Sequence, residues 1–450
     1  MADEKNTCGG TCADCESCNS GGCNGLPPRV IFTEEMRKEY TILLPTMLPR
    51  HFKIMEKVFQ YYGYNTEVLE DGTHGDSKVV IDAGLKYVHN DACYPALLVI
   101  GQFIAALQSG RYDTNKVALM LTQTGGGCRA SNYIALLRKA LVSAGFAHVP
   151  VISLNLSGLE SMPGFKLTLP MIHRLLYAIL YGDLLMLLVN QCRPYETIKG
   201  SAEALADAWS ARLAKEMTQS SIKYRKVKAT YREIINDFAN IEGVDCPERA
   251  RHEKVRVGIV GEIFVKFSPL GNNNLEDFLV SEGAEPVMGG LIDFCLYVVS
   301  NAMIDYELYG MGKLKSKIYK IADKFFLKKQ DDLISAVKAD GRFTPPTSFR
   351  VTRELGKPFV SVGMKMGEGW LLTSEILELI HEGVGNVVIT QPFGCLPNHI
   401  VGKGMMKPIK EAHPHVNLVA IDYDAGATAI NQENRIKLML ANAKKAQHQG

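Results

Sequence analysis

Apolar residues in the first part of the chain fall into short runs that alternate with longer stretches of helical spacing. The short runs predict buried strands, with 40–45 either a strand or a loop-borne run; they lie at 29–33, 40–45, 116–123 and 149–155. Two stretches have the length and spacing of helices, 95–110 and 131–145, and the first has Pro95 in its opening turn. A strand, a helix and a second strand in this order form a β-α-β unit, which predicts a parallel sheet covered by helices.

The middle of the chain lacks strand patterns, and the alternation resumes after it. Residues 166–250 predict two or three helices; the apolar run 175–189, interrupted by Asp183, is interpreted as a buried helix, and the basic stretch 220–238 as a helix with a solvated face. A second α/β region is expected to begin at 254–267, with VRVGIVGE as its strand. Further strands are expected at 284–290, 386–391 and 416–424, and helices at 274–283, about 301–340, 373–383, 402–412 and the C-terminus.

These patterns predict an α/β protein with two doubly wound, Rossmann- or flavodoxin-like parallel sheets and a helical segment between them. The expected units are a flexible cysteine-rich arm, two α/β domains and the helical segment, with boundaries at 1–28, 29–165, 166–253 and 254–450. A chain of 450 residues is also too long for a single core.

Bulk composition narrows the choice of partners. The chain is 46% hydrophobic and 22% charged with a net charge of +2, so nothing in its charge favours nucleic acid or an anionic membrane. The N-terminus is polar without a signal-peptide pattern, and the longest apolar run is short for a membrane span. We therefore expect a cytoplasmic protein.

Eleven cysteines without a secretion signal indicate a reducing compartment, in which thiols serve as metal ligands or nucleophiles. Five crowd the N-terminus: Cys8, Cys12, Cys15, Cys18 and Cys23. Their C-x2-C-x2-C core is typical of ferredoxin-type clusters, although the usual C-x3-C-P completion is absent. Two C-x2-C pairs also suit zinc, and a thiol-rich tail without metal is the third interpretation.

Two distant stretches share one pattern: LTQTGGGCRASNY at 121–133 and ITQPFGCLPNHI at 389–400. Each leads from a predicted strand through Thr-Gln and glycine to a cysteine, Cys128 or Cys395, just beyond the carboxyl end of the strand, where open parallel sheets bind ligands. Cys93 similarly precedes a predicted helix. We expect the three cysteines to converge on one site.

The local backbone at these positions favours negative charge. Gly126 and Gly127 permit close approach of the backbone, and the following helix directs its N–H groups at the site. This predicts a lowered thiolate pKa, or hydrogen-bonded cluster sulfurs. Burial as ordinary core residues is the competing interpretation.

The remaining candidates are less specific. Cys246 and Cys295 are interpreted as inert core residues, and Cys192 as a loop residue that either ligates metal or is structural. Glu262 follows a strand and is a candidate for a catalytic acid or a helix cap. Arg129, Asn132 and Tyr133 are candidates for contacts with a cluster or substrate, or for capping and packing. Phosphate-loop, nucleophile-elbow and zinc-protease motifs are absent from the sequence.

Several ordered motifs together resemble the 2-hydroxyacyl-CoA dehydratase-related iron–sulfur proteins. They are CYPALL (93–98), GGGCRASNY (125–133), RPYE (193–196), VGIVGEIFVKFSP (257–269) and ITQPFGCLPNHI (389–400). The likeness covers roughly residues 29–440 and is greatest to the cluster module of large fusion proteins that also carry an activator ATPase. The ATPase part is missing here, and the typical Gly-Pro-Cys-Arg segment is Gly-Gly-Cys-Arg.

The resemblance implies a [4Fe–4S] cluster on Cys93, Cys128 and Cys395, with one iron open to water or substrate. It implies that a low-potential electron, delivered by a separate ATP-dependent activator or other electron donor, dehydrates or reduces an acyl-CoA. Related proteins with double-cubane clusters reduce other small molecules, so an electron-transfer or reductase component is the alternative. In either case the N-terminal cysteines are the candidate ligands of a second cluster or of zinc. The sequence is compatible with a monomer, a homo-oligomer or a hetero-oligomer. A structural protein that binds zinc is the third hypothesis for the function.

Overall fold

The computed structural model describes residues 29–69, 77–89, 92–123, 127–154, 162–246, 249 and 252–447. Its strands, in chain order, are β1 Thr41–Leu44, β2 Thr66–Val68, β3 Val117–Thr122, β4 Val151–Leu154, β5 Arg256–Gly261, β6 Glu285–Val287, β7 Asn386–Pro392 and β8 Asn417–Tyr423. The predicted α/β class is confirmed.

Helices cover these strands on both faces and fill the middle of the chain. Those preceding β5 are α1 Met36–Glu39, α2 Pro49–Tyr61, α3 Ser77–Tyr87, α4 Tyr94–Gln108, α5 Tyr133–Ser143, α6 Leu169–Cys192, α7 Ser201–Glu216 and α8 Tyr224–Ala239. Those following it are α9 Ile263–Phe267, α10 Pro269–Asn272, α11 Leu275–Ser281, α12 Leu291–Tyr309, α13 Lys313–Asp340, α14 Phe349–Leu355, α15 Trp370–His381, α16 Met406–Ala412 and α17 Ala429–Gln447. Short 3₁₀ turns occupy Arg129–Asn132 and Lys403–Met405, and a π turn occupies Asn398–Gly402.

The two sheets have the same topology. Within the described residues, each contains four parallel strands, in the orders β2-β1-β3-β4 and β6-β5-β7-β8. The central strand pairs are in register at Leu43 and Leu119 in the first sheet, and at Val260 and Ile389 in the second. The near-continuous apolar strands VALML and VVI suit sheets covered on both faces.

One prediction about the first sheet was wrong, and one of its strands was not predicted. Residues 29–33 do not form a strand, because only Phe32 is fully buried and its carbonyl oxygen accepts from Gly164 N–H instead of a neighbouring strand. The strand that the sequence did not reveal is β2. It has only three residues, and buried and exposed positions do not alternate clearly along it.

Helix α6 lies at the centre of the helical layer and connects the two halves of the molecule. By length and composition it could cross a membrane, but 67% of its apolar window is buried by the rest of the protein, which is compatible with a soluble protein. The apolar run of α6 is interrupted at Asp183 because this side chain binds groups in a neighbouring part of the protein. Its carboxylate accepts from the backbone N–H groups of Leu291 and Ile292, at 2.7 and 3.0 Å, and from His51 at 2.8 Å. A side chain of α6 therefore caps the first turn of α12 in the second α/β region.

Candidate functional site

A cavity of about 950 Å³ lies where the carboxyl ends of the two sheets meet. The first sheet contributes residues just after β1 and at the ends of β3 and β4, and the second contributes residues just after β5 and β7. Cys93, Cys128 and Cys395 all line it. The three cysteines that we expected to converge therefore line one cavity.

Cys93 is held by the helix that follows it and by a tyrosine from the Cys128 segment. It is the residue immediately before α4, where Pro95 occupies the first turn. Its sulfur lies 3.3 Å from the hydroxyl oxygen of Tyr133, the first residue of α5. Tyr94 N–H donates to the carbonyl oxygen of Phe393 at 2.9 Å, so the backbone beside Cys93 is tied to the loop that carries Cys395.

Cys128 and Cys395 occupy equivalent places in the two sheets, after β3 and after β7. Cys128 precedes the 3₁₀ turn, and its sulfur accepts from the backbone N–H of Ala130 at 3.5 Å. Cys395 is buried, and Gly394 before it has a φ of +70°. A Cβ on Gly394 would lie 3.1 Å from Cα of Cys93. Glycine is thus required both by the backbone and by the close approach of the two cysteine segments.

The predicted lowering of the thiol pKa was wrong for the protein without metal. Burial raises the pKa of Cys93, of Cys128 (to about 12) and of Cys395. The nearby carboxyl of Glu262 raises all three pKa values further, and that of Glu368 raises those of Cys128 and Cys395. Backbone N–H groups at the first turns lower the pKa of each thiol, as expected, but burial raises it by more. These thiols are neutral unless a metal displaces their protons, which suits ligands better than free nucleophiles.

Two buried carboxyls, Glu262 and Glu368, line the same cavity as the cysteines. Glu262 caps α9, because its carboxylate accepts from Val265 N–H at 2.9 Å. Glu368 accepts from Ile263 N–H at 3.1 Å through one oxygen, while its other oxygen is buried without a hydrogen-bond partner. Burial, followed by the charge of Glu368, raises the pKa of Glu262 to about 8, and burial also raises the pKa of Glu368. The sequence offered no sign of Glu368, which lies in a loop 106 residues after Glu262.

The rest of the cavity wall is mostly apolar. It is formed by side chains from α2, α6 and α12 and the strand ends, among them Phe52, Met55, Met120, Leu175, Ile179 and Phe294. Cys295, expected to be an inert core residue, also lines this wall. Its pKa is raised to about 12 by burial, followed by the charges of Asp183 and Asp293.

The other predicted residues are placed as follows. Gly127 lines the cavity, and a Cβ there would overlap the sulfur of Met366; Arg129, Asn132 and Tyr133 also line the cavity. Cys192 is the last residue of α6 and is fully buried in the helical core, so its placement in a loop was wrong: the apolar spacing of α6 extends to its end. Cys246 is partly buried. Gly126 and the five N-terminal cysteines lie outside the described residues.

Among the residues that the structure describes, no group of three or more His, Cys, Asp or Glu side chains is arranged to hold a single metal ion. A [4Fe–4S] cluster makes a different demand, because each thiolate binds a different iron and the ligands stand further apart. Three thiols from separate segments line this cavity, and cysteine thiolates are the soft donors that iron–sulfur clusters take.

Comparison with known proteins gives no family for the chain: no protein-family model matches it, and no curated protein matches it.

Proposed function

We propose that the protein is an oxygen-sensitive [4Fe–4S] enzyme of the 2-hydroxyacyl-CoA dehydratase type. The observation that carries the proposal is the convergence of Cys93, Cys128 and Cys395, from three segments and two sheets, on one large cavity. When bound there, the cluster supplies a one-electron reductant with an open iron, and one electron weakens bonds in a thioester that acid–base groups alone do not activate.

The chain's own residues have separate tasks. Cys93, Cys128 and Cys395 hold the cluster. Tyr133 donates a hydrogen bond to the sulfur of Cys93, which tunes the site. The apolar walls exclude water and accommodate an acyl group, and a cavity of about 950 Å³ has room for one.

Glu262 is the candidate proton donor. Elimination of a hydroxyl group as water requires a proton, and a carboxyl with a pKa of about 8 holds one at neutral pH. Its hydrogen bond from Val265 N–H fixes its orientation at the cavity. The side chain of Arg129, also on the cavity wall, supplies a positive charge for the polar end of a substrate.

The decisive experiment is anaerobic iron and acid-labile sulfide analysis of the wild type, Cys93→Ser, Cys128→Ser and Cys395→Ser. Cys192→Ser is the matched control, because Cys192 is a buried cysteine that does not line the cavity. We expect the three cavity variants to lose most of their cluster and the control to keep it. A full cluster in Cys128→Ser would refute the proposal, as would zinc without sulfide in the wild type.

A second measurement separates the enzyme from an electron-transfer or reductase component without dehydratase activity. We expect acyl-CoA addition to change the electron paramagnetic resonance spectrum of the reduced cluster, because the substrate reaches the open iron. A spectrum unchanged by any acyl-CoA, with an intact cluster, would favour the electron-transfer alternative.

Oxygen sensitivity and a reducing compartment are consistent with a cytoplasmic location.

A further inference from the structure

We propose that the first half of α13 is the docking surface for an acidic electron-donor protein that presents a helix. Its role in electron supply rests on the proposed function, whereas the docking surface itself rests on the exposure and charge of this helix. The first half of α13, Lys313–Lys328, follows the tip of the α12–α13 hairpin, where Gly310 and Gly312 have φ of +67° and +69°.

An apolar row runs along the exposed side of this half-helix. Its members are 39–74% exposed and follow one another at intervals of four, three and four residues: Leu314, Ile318, Ile321 and Phe325. This is the spacing with which one helix packs along another. Isolated exposed apolar residues need no explanation, but a row with helix-pairing spacing marks an interaction surface.

A lysine row borders the apolar row at the same intervals. It consists of exposed side chains offset by one position, Lys313, Lys317, Lys320 and Lys324. Residues 313–328 contain six lysines and one acid, Asp323, which is already paired with Arg353 at 2.6 Å. Within the part of the chain that the structure describes, none of the six lysines has an ion pair. The complementary partner therefore carries acidic residues beside an apolar helix face.

Charge and shape argue against three other occupants of this surface: a second copy of the chain, an anionic membrane and residues 1–28. In a second copy of the chain, two lysine rows would face each other, and the acids in the other half of α13 have partners: Asp331 pairs with Arg350, and Asp332 accepts from Tyr224. An anionic membrane favours a broader apolar face than one row in each turn. Residues 1–28 are acidic but contain few apolar side chains to cover the row.

The hairpin tip is also close to the proposed cluster site. A Cβ on Gly363 would lie 3.1 Å from the hydroxyl oxygen of Tyr309 at the end of α12, and Lys365 pairs with Asp305 on the same helix. Four residues further along this loop, a Cβ on Gly367 would lie 3.5 Å from the sulfur of Cys128. Four residues span at most about 14 Å. A redox protein docked at the tip therefore has a short path to Cys128.

The experiment uses the full chain and, as the probe, a purified acidic bacterial-type ferredoxin. Carbodiimide cross-linking joins lysines directly to carboxylates, and mass spectrometry identifies the lysines. We expect cross-links at Lys317, Lys320 and Lys324, and an about tenfold lower yield in the K317E/K320E/K324E variant or in 0.5 M salt, taken as roughly three times physiological ionic strength. The matched control K437E/K444E/K445E makes the same charge change on α17 and should leave the yield unchanged.

The apolar row is tested by I318Q/I321Q, which keeps every lysine and should also weaken cross-linking. Equal yields in the wild type and K317E/K320E/K324E, or no cross-links in the wild type, would overturn the proposal. So would a wild-type dimer that I318Q/I321Q dissociates in sedimentation analysis, binding of wild type to phosphatidylserine vesicles that the charge reversal abolishes, or strong cross-linking only after deletion of residues 1–28.

Reduction kinetics separate this proposal from the proposed function. Dithionite needs no docking surface, so it should reduce the wild type and K317E/K320E/K324E at equal rates, while ferredoxin should reduce the variant about tenfold more slowly. Cross-links at the lysine row in a protein that contains neither iron nor acid-labile sulfide would leave the docking surface supported and refute the cluster.

Discussion

The sulfur of Cys93 lies 3.3 Å from the hydroxyl oxygen of Tyr133, and both side chains are buried. Cys93 precedes α4, whereas Tyr133 begins α5 just after Cys128. This one contact therefore connects two of the three cysteine segments. The tyrosine pKa is raised well above its usual value by burial and by Cys93, so the phenol keeps its proton and is the hydrogen-bond donor whenever the sulfur is a thiolate that binds metal.

Tyr133→Phe should keep the fold and the iron content but lower the reduction potential of the bound cluster. The phenyl ring preserves the packing, while the lost hydrogen bond leaves more negative charge on the sulfur, which disfavours adding an electron. We expect a stability loss of about 1 kcal/mol. Potentiometric titration followed by electron paramagnetic resonance measures the shift.

Tyr231→Phe is the control for this variant. Tyr231 is fully buried in the helical core, and its hydroxyl has no hydrogen-bond partner among the residues that the structure describes, so removing that oxygen changes no contact with sulfur there. An equal change of potential in both variants would show that the Cys93–Tyr133 contact does not tune the site.

Gly394→Ala should destabilise the protein more than Gly383→Ala. Both glycines have a left-handed backbone, with φ of +70° and +76°. That strain alone costs about 1–2 kcal/mol for a residue with a Cβ. Only at Gly394 does the new Cβ press on the backbone of Cys93, at 3.1 Å, because nothing lies within 4 Å of it at Gly383.

The difference between these two variants therefore isolates the approach of the Cys93 and Cys395 segments. We expect Gly394→Ala to lower iron content as well as stability, and Gly383→Ala to lower stability alone, as measured by denaturant unfolding and iron analysis. Similar iron content in both would show that the approach of the two segments has no effect on metal binding.

The site was only partly predictable from the sequence. Cys128 and Cys395 were found because each follows an apolar strand, and parallel strands bring their carboxyl ends to one edge. Glu368 and the cavity position of Cys295 were not found, because they depend on how a loop and α12 pack across the two sheets. The thiol pKa was misjudged for a related reason: a local pattern shows the helix N–H groups, but burial depends on the whole fold.

The fold was likewise predictable where local sequence patterns decide it and not where tertiary packing does. Strands such as β3 and β7 are near-continuous apolar runs bounded by polar residues, so they were recognisable. β2 has three residues with one fully buried, and its pairing with β1 is decided by the tertiary structure. Residues 29–33 have a strand-like composition, but the carbonyl oxygen of Phe32 accepts from Gly164 N–H and not from a strand of the sheet.

Glu262→Gln and Glu262→Ala should separate capping from proton donation. The glutamine oxygen can still accept from Val265 N–H, so we expect its stability to stay near that of the wild type, while alanine loses about 1 kcal/mol with the cap. Both variants lack the acidic proton, so both should lose acyl-CoA turnover while retaining iron. Full turnover by Glu262→Gln would exclude Glu262 as the proton donor.

Asp293→Asn should stabilise the protein at alkaline pH. Asp293 is buried, and burial, followed by the charges of Asp183 and Glu375, raises its pKa to about 8, although Lys266 and the Gln330 side chain oppose the shift. The folded protein thus holds a proton that the unfolded chain releases near pH 4. Ionising Asp293 costs stability, so the wild type should lose stability as pH rises from about 4 to about 8, with no further loss above.

Asparagine has no charge to bury and can still accept from Gln330 at the position where Asp293 accepts at 2.6 Å. The stability advantage of Asp293→Asn should therefore grow across that pH range and level off above it, reaching about 1 kcal/mol or more. Thermal unfolding at pH 5, 6.5 and 8.5 measures this dependence. Asp331→Asn is the control, because Asp331 is a more exposed acid that pairs with Arg350. An advantage of Asp293→Asn that is equal at all three pH values would mean that Asp293 is already ionised in the folded protein at pH 5.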